Sequence, residues 1–402
     1  MRNRMGAGIV TFAVLLLTTP AFAADEKKPD AATSAPAPQV DDEAAKRLKI
    51  GSTGGWWQPG ANIQGWYVFD HYNAVGSANG YNSNTFRIRR AELSIKGEIW
   101  PKTFGFNVMI DPARVLDGQA TTLTIVDGNG QIIGTTKSVV NTPQNTYLSP
   151  LQDVYITYLN NYADLSLGQF KIPVSWEGVL SSSKLLFPER ALVSKQFGDK
   201  RDIGLRAMKK FKYFMYWAAV YNGSGQNTID TNSAKDLALR LEVYPLAGLK
   251  IPGPGLMLGG VVYSTVGDFS DPTNPWKVRY EADVRFEGWG AIVQAEYISA
   301  QDRKAGIGQP MYFGDGYYLM LGYTFFDQLQ FAFRMGQING DKTHILATTD
   351  SAYVPFTTHL EGAVNWRIKK DEIKIHASYS RFDTNNFKPT DNQVIVALQV
   401  AY

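Results

Sequence analysis

Arginine and lysine recur in this sequence at alternate positions of segments whose other residues are apolar. The stretch from Trp276 to Glu287 shows the pattern most clearly, because six apolar residues alternate there with six charged ones. A period of two places all the charged side chains on one face of a β-strand. Arginine stays charged at any ordinary pH, and its N–H donors form a fork that suits carboxylates and phosphates. Basic residues on such a polar sheet face predict electrostatic contact with anions, although three of the six charged residues in this stretch are acidic.

Residues for covalent or metal catalysis are sparse. The chain has no cysteine and four histidines, and neither an HExxH nor a GxSxG motif occurs. Gly128-Asn129-Gly130 does not open a helix, so it is interpreted as a turn rather than a phosphate cradle. His359 and His376 fall on neighbouring predicted strands and leave a weak alternative, a metal site or an enzyme built on a barrel. We expect no enzyme, no metal site and no cofactor.

The alternation extends over sixteen predicted strands. Short and long connections follow one another strictly, and the long ones cover 73–83, 112–150, 173–200, 223–233, 267–275, 301–313, 340–355 and 383–390. Outer-membrane barrels have short periplasmic turns and long extracellular loops in this order. The strands are predicted at 62–72, 84–100, 103–111, 151–159, 163–172, 201–210, 213–222, 234–246, 255–266, 276–287, 290–300, 314–326, 328–339, 356–368, 372–382 and 391–402.

A water-soluble sheet with one covered face is the alternative interpretation of any single hairpin. Aromatic residues argue against it, because they gather at the short turns as in the interfacial girdle of a membrane barrel. The predicted girdle consists of Trp100, Phe104, Tyr158, Tyr162, Phe211, Tyr213, Tyr244, Phe286, Trp289, Phe325, Phe326, Trp366 and Tyr402. The sequence thus predicts an all-β, transmembrane antiparallel β-barrel whose apolar residues face lipid and whose charged residues face water.

The N-terminal residues have a different composition from the predicted barrel. Two arginines, an apolar run at Ile9–Leu17 and the small-x-small sequence Ala21-Phe22-Ala23 are typical of a signal peptide cut after Ala23. Residues 24–61 are rich in Pro and Ala at their start and are interpreted as a flexible periplasmic leader, with one or two helical turns within 41–49. The predicted organisation is a signal peptide (1–23), a leader (24–61) and a barrel (62–402) in the bacterial outer membrane.

The third long loop, residues 173–200 and hereafter the L3 loop, is too apolar for a solvent-exposed loop. Its apolar residues are Leu180, Leu185, Leu186, Phe187, Ala191, Leu192, Val193 and Phe197. Sixteen strands enclose an aqueous channel, so we expect the L3 loop to fold into the pore and narrow it. An outward loop packed on a neighbouring subunit is the alternative. Basic residues exceed acidic ones by one in this loop, which contains Lys184, Arg190, Lys195 and Lys200 against Glu177, Glu189 and Asp199.

The run from Leu151 to Arg206 resembles the phosphate-selective porin O and P family. The matching pieces are Gly168-Gln169-Phe170-Lys171-Ile172-Pro173, Pro188-Glu189-Arg190 and Arg201-Asp202-Ile203-Gly204, together with Phe86–Glu98 and Val220–Gly225. The resemblance extends over roughly residues 60–402. It implies a trimeric barrel of sixteen strands, a third loop folded into the pore, and arginines and lysines that hold phosphate in some members.

The residues predicted to line the pore and bind anions are basic. They are Lys184, Arg190, Lys195, Arg206, Arg240, Arg279, Arg285, Arg334 and Arg367. Arg90, Lys96, Lys277 and Lys374 are also predicted to face the lumen, but so are eleven acidic residues of the strands. The loop 267–275 carries Asp268 and Asp271 and no basic residue, which departs from family members with tight phosphate sites. We expect a porin for small hydrophilic solutes that prefers anions such as phosphate weakly, or a general non-selective porin.

The expected partners are small anions, outer-membrane lipid and two further copies of the chain. A formal net charge of +3 gives no nucleic-acid signature. The longest loop, 112–150, is rich in Thr, Val, Ile and Gly and is predicted to form its own hairpin, which leaves a surface adhesin as a third class of function.

Overall fold

The computed structural model describes residues 47–51, 54–72, 81–116, 120–126, 132–139, 150–267, 275–303, 309–346, 354–384 and 391–402. The strands in these ranges are numbered β1 to β19 in chain order. Sixteen of them form the barrel: β2 (Gly55–Tyr72), β3 (Tyr81–Trp100), β4 (Phe104–Ile110), β7 (Leu151–Tyr158), β8 (Asp164–Lys171), β9 (Arg201–Lys210), β10 (Phe214–Tyr221), β11 (Lys235–Val243), β12 (Gly255–Val266), β13 (Trp276–Gly288), β14 (Ala291–Arg303), β15 (Met311–Phe325), β16 (Leu329–Asn339), β17 (Thr357–Lys369), β18 (Ile373–Thr384) and β19 (Asp391–Ala401).

The remaining elements are short. A three-residue strand, β1 (Leu48–Ile50), pairs with the start of β2, and β5 (Ala120–Val126) pairs with β6 (Ile132–Val139) in a separate hairpin. The helical segments in the described ranges are single turns, at Ala113–Leu116, Trp176–Val179, Ser182–Lys184 and Ser194–Gly198. Within those ranges no helix has the length and apolar character needed to cross a membrane.

The barrel closes where its last strand pairs with its first. Strand β19 is antiparallel to β2, with Val396 opposite Tyr67, and every other barrel strand pairs with its neighbours in chain order. The chain end is fixed at the same seam, because Ala61 N donates to Tyr402 O across 3.1 Å and Tyr402 N donates to Ala61 O across 2.8 Å. Closure leaves no unpaired sheet edge. The predicted sixteen-strand antiparallel barrel is confirmed.

The two faces of the barrel wall have the predicted polarity. In β13, Tyr280 and Val284 are 50% and 37% exposed on the outer surface, whereas Glu281 and Asp283 are 5% and 7% exposed inside. Large apolar side chains are exposed in the same way on the barrel strands throughout the described residues. No second layer covers these rows in the described part of the chain, so the soluble-sheet alternative fails. Lipid is the medium that accommodates such a surface.

The turn between β13 and β14 is a tight hairpin. Trp289 and Gly290, between β13 and β14, both have positive φ angles, 52° and 80°. Two successive left-handed residues are typical of a type I′ turn, whose twist matches the flanking strands. A side chain on Gly290 would also meet Thr324 O at 2.8 Å.

The largest difference between the structure and the sequence-based strand boundaries lies at the start of the barrel. Strand β2 begins at Gly55 rather than at residue 62, because Trp56 and Trp57 pair with Glu98 and Gly97 of the long strand β3. The part of the predicted leader from Gly55 to residue 61 is therefore strand, and Leu48–Ile50 forms β1 rather than part of a helical turn. The sequence did not predict this earlier start of β2, because it contains Pro59 and Gly60 and both residue types are depleted in strands.

Most rings of the predicted girdle lie on the outer surface beside the short turns. Trp100, Tyr162 and Phe326 are 54%, 78% and 94% exposed, and the Phe104 ring lies 5.9 Å from that of Trp100 and 5.5 Å from that of Tyr158. Tyr244 is the exception. Its hydroxyl donates to Glu242, and it lines an internal cavity, because alternation along β11 places it on the same inward row as Arg240 and Glu242.

Several predictions fall outside the described residues. They are the signal peptide and its cleavage after Ala23, the leader up to residue 46, the turn of the 112–150 hairpin and the acidic residues of the loop 267–275. The hairpin itself is observed as β5 and β6.

Candidate functional site: a basic passage beside the L3 loop

The L3 loop contacts the lumen face of the barrel wall through a buried arginine. Arg334, on β16, donates from Nη1 to Glu177 Oε1 across 3.1 Å and from Nη2 to Glu189 O across 2.9 Å. The same guanidinium also donates to Glu361 on β17 and lies over the Phe187 ring, 4.4 Å from its centroid. Arg334 thus satisfies two carboxylates and one backbone carbonyl where water is excluded.

Further donors on the wall bind loop carbonyls. Asn365 Nδ2 donates to Leu186 O across 2.7 Å, and Lys374 Nζ donates to Ser183 O across 2.6 Å. The apolar loop residues pack against the wall, and Phe187, for example, is 1% exposed. These contacts agree with the inward fold expected for the L3 loop, because the wall residues involved all lie on the lumen face.

A β-bulge brings an additional arginine to the loop. Gln64 of β2 pairs with Arg90, whereas the next residue, Gly65, pairs with Ile88, so Arg89 is an extra residue in β3. A bulge lets neighbouring side chains share one face. Arg89 binds Glu189 of the L3 loop, and Arg90 Nη2 lies 3.6 Å from the same carboxylate.

Glu189 is the focus of three positive charges. Lys195 Nζ lies 3.7 Å from its Oε2, in addition to Arg89 and Arg90. Burial by itself would raise the pKa of Glu189, but Lys195, Arg90 and Arg89 together hold that pKa well below its ordinary value. The carboxylate therefore stays ionised and fixes these cations beside the loop.

A cavity of about 350 Å³ lies between the L3 loop and the wall made by β3, β4 and β7 to β10. Its basic lining residues are Arg89, Arg90, Arg114, Lys171, Arg190, Arg201 and Arg206, and its acidic ones are Glu92, Asp111, Asp153 and Asp199. This basic cavity, as we call it, therefore has seven basic and four acidic side chains. Excess positive charge in a confined space of low dielectric constant attracts anions.

Three of the four acidic residues of the basic cavity are in ion pairs, including Asp111, which lies 3.9 Å from Arg114. Arg201 Nε donates to Asp153 Oδ1 across 2.8 Å, and Arg190 Nη1 donates to Asp199 Oδ2 across 3.2 Å. Lys171 instead donates to backbone carbonyls of the L3 loop, with its Nζ 2.8 Å from Gly178 O. Backbone carbonyls therefore hold Lys171 where a carboxylate holds Arg201.

Two larger cavities lie elsewhere in the lumen. One of about 760 Å³ is at the short-turn end and is lined by six basic residues, Lys184, Lys210, Lys212, Arg285, Arg367 and Lys374, and by four acidic ones, Glu242, Glu287, Asp327 and Asp371. The other, of about 540 Å³, has Lys195 against Asp70 and Asp391. Basic residues therefore outnumber acidic ones in the basic cavity and in the cavity at the short-turn end.

The structure divides the predicted anion-binding residues into groups. Arg190 and Arg206 line the basic cavity, Lys184, Arg285 and Arg367 line the cavity at the short-turn end, and Lys195 lines the third cavity. The remaining ones, Arg240, Arg279 and Arg334, line none of these cavities and are held in ion pairs. Ion pairs also involve Arg190, Lys195, Arg285 and Arg367.

Arg240 illustrates the paired group. It is fully buried and contacts Glu242 at 2.7 Å, Glu281 at 3.1 Å and Asp283 at 2.7 Å. Arg279 similarly donates to Asp302 across 2.9 Å. Alternation along a strand predicts that these arginines face inward, but it does not reveal which acidic residues of the same or other strands pair with them.

Sequence reasoning missed part of the basic cavity. Arg89 is placed by the bulge, and Arg114 lies in a single helical turn after β4. Lys171 and Arg201 pair directly in the β8–β9 ladder at the two ends of the L3 loop. A basic residue at each strand end that flanks the loop is a signal that could have identified this pair.

The histidine alternative does not survive the geometry. His359 lies opposite Phe382 and His376 lies opposite Asn365, so the two imidazoles are about 20 Å apart along the strands. His376 Nδ1 lies 2.8 Å from Asn365 Oδ1, and the His359 ring stacks on that of Phe382. Among the residues that the structure describes, no cluster of three or more metal-ligating side chains is present.

Similarity to known proteins agrees with the barrel fold described above. The family model for phosphate-selective porin O and P matches residues 60–252, which comprise the first eight strands of the barrel except the start of β2. No curated protein sequence matches the chain significantly.

Solved structures of outer-membrane channels share the fold. The anion-selective porin from Comamonas acidovorans is 8% identical, with a TM-score of 0.56 over 87% of this chain and 100% of that one. The channel DcaP of Acinetobacter baumannii is 14% identical, with a TM-score of 0.56 over 88% and 99%. The trimer form of OmpT from Vibrio cholerae is 9% identical, with a TM-score of 0.52 over 87% and 99%. The family match over residues 60–252 and the shared barrel fold confirm the resemblance seen in the sequence, and together they point to an outer-membrane porin channel.

Proposed function

We propose that the chain forms a diffusion channel for small hydrophilic solutes that prefers anions, with phosphate among them. The observation that carries the proposal is the basic cavity, in which seven basic side chains face four acidic ones beside the L3 loop. At a separation of several ångströms each unpaired charge is worth about 1 kcal/mol or more to a passing ion, depending on the local dielectric constant. A small excess is therefore enough to bias permeation.

Pairing accounts for many of the acidic residues that argue for a non-selective channel. Glu281 and Asp283 are bound by Arg240, and Glu361 is bound by Arg334. None of these three carboxylates lines a cavity named above. These three carboxylates pair with arginines within the wall and under the L3 loop. The electric field that a passing ion meets is therefore set mainly by the basic residues that line the cavities. The preference is expected to be moderate, because Glu92 and the paired acids remain close to the passage.

Reversal potentials of the purified full-length protein in planar bilayers test this proposal. A tenfold KCl gradient gives a reversal potential whose sign reports whether chloride or potassium permeates faster, and chloride is expected to dominate. Replacement of chloride by phosphate at equal ionic strength is expected to leave a measurable anion current. A potassium-dominated reversal potential contradicts the proposal, and a potential near zero supports the general-porin alternative.

We also propose that the channel is a homotrimer. A trimer form is described for OmpT of Vibrio cholerae, which shares the barrel fold. Cross-linking of the detergent-solubilised protein, with the molar mass measured by light scattering, should give three chains per particle. A monomeric particle with full conductance contradicts this assignment.

The export route belongs to the same proposal. We propose that the chain reaches the outer membrane through cleavage after Ala23 and that residues from Ala24 remain as a periplasmic segment. N-terminal sequencing of the mature protein should begin at Ala24. The family match and the fold point to a channel rather than an enzyme.

A further inference from the structure

We propose that one wall of the basic cavity, formed around Arg206, is a binding subsite for a small organic carboxylate with an apolar body. The proposal rests on the anion passage described above and adds the class of solute that the passage retains. The subsite consists of Gln152, Tyr155, Phe170, Arg206 and Trp217, which line one cavity.

Three buried donors in this subsite have no partner. Gln152 Nε2, Arg206 Nε and Trp217 Nε1 are each without a hydrogen-bond acceptor in the structure. Their residues are only 3%, 7% and 7% exposed. Buried polar groups in proteins are nearly always satisfied, and an unsatisfied donor costs about 1–3 kcal/mol. Three such donors around one cavity indicate a bound acceptor with several oxygen atoms.

The charge of Arg206 also requires a partner. Its Nη2 donates to Ser166 Oγ across 2.8 Å, but among the residues that the structure describes no carboxylate lies within ion-pair distance of it. A buried charge is costly unless it is paired. The guanidinium edge binds a carboxylate through two parallel N–H···O bonds, which fits a ligand that brings its own negative charge.

The walls around these donors are apolar. The rings of Tyr155, Phe170 and Trp217 have their centroids 4.9, 4.6 and 4.8 Å from the guanidinium carbon of Arg206. Met109 and Met208 line the same cavity. Such a surface would leave most oxygens of a bare phosphate without donors, whereas it accommodates an apolar body. The cavity volume of about 350 Å³ suits a ligand the size of a small aromatic acid.

Block of single-channel current tests the inference, with benzoate, acetate and inorganic phosphate as probes. In the wild-type channel we expect benzoate to halve the chloride current at a concentration about tenfold lower than the concentration of acetate or phosphate that does so. Burial of the benzoate ring against the apolar wall accounts for a difference of this size. Arg206→Gln should weaken benzoate block about tenfold by removing the charged donor.

Two further variants separate binding from folding. Trp217→Phe keeps an aromatic ring and removes only the N–H donor, so it should weaken benzoate block several-fold. Arg381→Gln removes an exposed arginine of β18 that pairs with Asp383, away from the cavity. This control should block like the wild type.

The outcomes are distinct. Equal block by benzoate and acetate, or stronger block by phosphate, overturns the organic-carboxylate subsite even if the channel prefers anions. Unchanged benzoate block in both Arg206→Gln and Trp217→Phe places the block elsewhere and also overturns it. A potassium-dominated reversal potential of the wild type defeats the proposed function instead, and that measurement is independent of any blocker.

Discussion

Arg334 on the barrel wall and Glu177 in the L3 loop form an ion pair in which Nη1 lies 3.1 Å from Oε1. The two side chains are 1% and 3% exposed, so the pair is isolated from water. Burial makes the loss of one partner costly, because the other is left as an uncompensated charge. The position of the L3 loop across the lumen therefore depends on this contact more than on exposed pairs such as Lys369 with Glu372.

Arg334→Gln should destabilise the attachment of the L3 loop. Glu177 and Glu361 would both remain buried without their cation, at a cost of about 3–5 kcal/mol. We expect larger and noisier single-channel conductance and a lower temperature for conversion of the folded barrel on gels. Arg381→Gln, at an exposed pair, is the control and should behave like the wild type. Unchanged conductance noise in Arg334→Gln would show that other contacts suffice.

Glu189→Gln should strengthen the preference for anions. The substitution removes the carboxylate that Arg89, Arg90 and Lys195 share, so these three charges act on the passing ion instead. The reversal potential in a KCl gradient should move further toward the chloride equilibrium potential. A shift in the opposite direction would mean that Glu189 does not neutralise these cations in the open channel.

Arg201→Gln and Asp153→Asn should change selectivity in opposite directions. The two residues form one ion pair, with Nε 2.8 Å from Oδ1, at the edge of the basic cavity. Loss of the arginine exposes a carboxylate and should lower the chloride-to-potassium permeability ratio, whereas loss of the carboxylate should raise it. The double variant restores neutrality and should lie near the wild type. Shifts of the same sign in both single variants would contradict a local electrostatic effect.

The ion pair of Asp199 in the L3 loop should persist at mildly acidic pH and be lost only at strongly acidic pH. Burial by itself would raise the pKa of Asp199, but Arg190, Lys171 and Arg201 lower it to about 2, from an ordinary value of 3.8. The unfolded chain therefore binds the proton first, and the stabilisation is complete above about pH 4 and lost as pH falls through about 2. The difference in thermal stability between wild type and Asp199→Asn should be large at pH 5 and vanish near pH 2. A pH-independent difference would rule out this linkage.

A charge on the outer surface should prevent insertion. Leu239 is 57% exposed on the outward row of β11, and Leu239→Arg places a cation in the hydrocarbon region at a cost of about 2–4 kcal/mol at mid-depth. The yield of heat-modifiable barrel in lipid vesicles should fall sharply. Gln393→Arg is the matched control, because Gln393 faces the cavity that contains Asp70 and Asp391. Equal yields for the two variants would contradict the assignment of the faces.

Alternation of apolar and polar residues predicted the number of barrel strands and most of their faces from local information. The predicted strand at 276–287 ends one residue before the observed β13, Trp276–Gly288. The apolar residues of the L3 loop likewise predicted that the loop is buried, and Phe187 and Val193 are both 1% exposed. These features depend on the chemistry of each segment, which the sequence records directly.

The pairing of charges was decided by tertiary structure alone. Arg240 and Arg206 are both predicted to face the lumen, yet Arg240 is neutralised by Glu281 and Asp283, whereas Arg206 is surrounded by rings. Which side chains meet depends on the register between strands and on the path of the L3 loop, and a single β-bulge at Arg89 changes which arginines reach Glu189. The sequence by itself determined the barrel, its lipid-facing surface and the supply of basic residues. Only the folded chain determined which of those charges remain available to a solute, because electrostatic pairing acts between residues that lie far apart in the sequence.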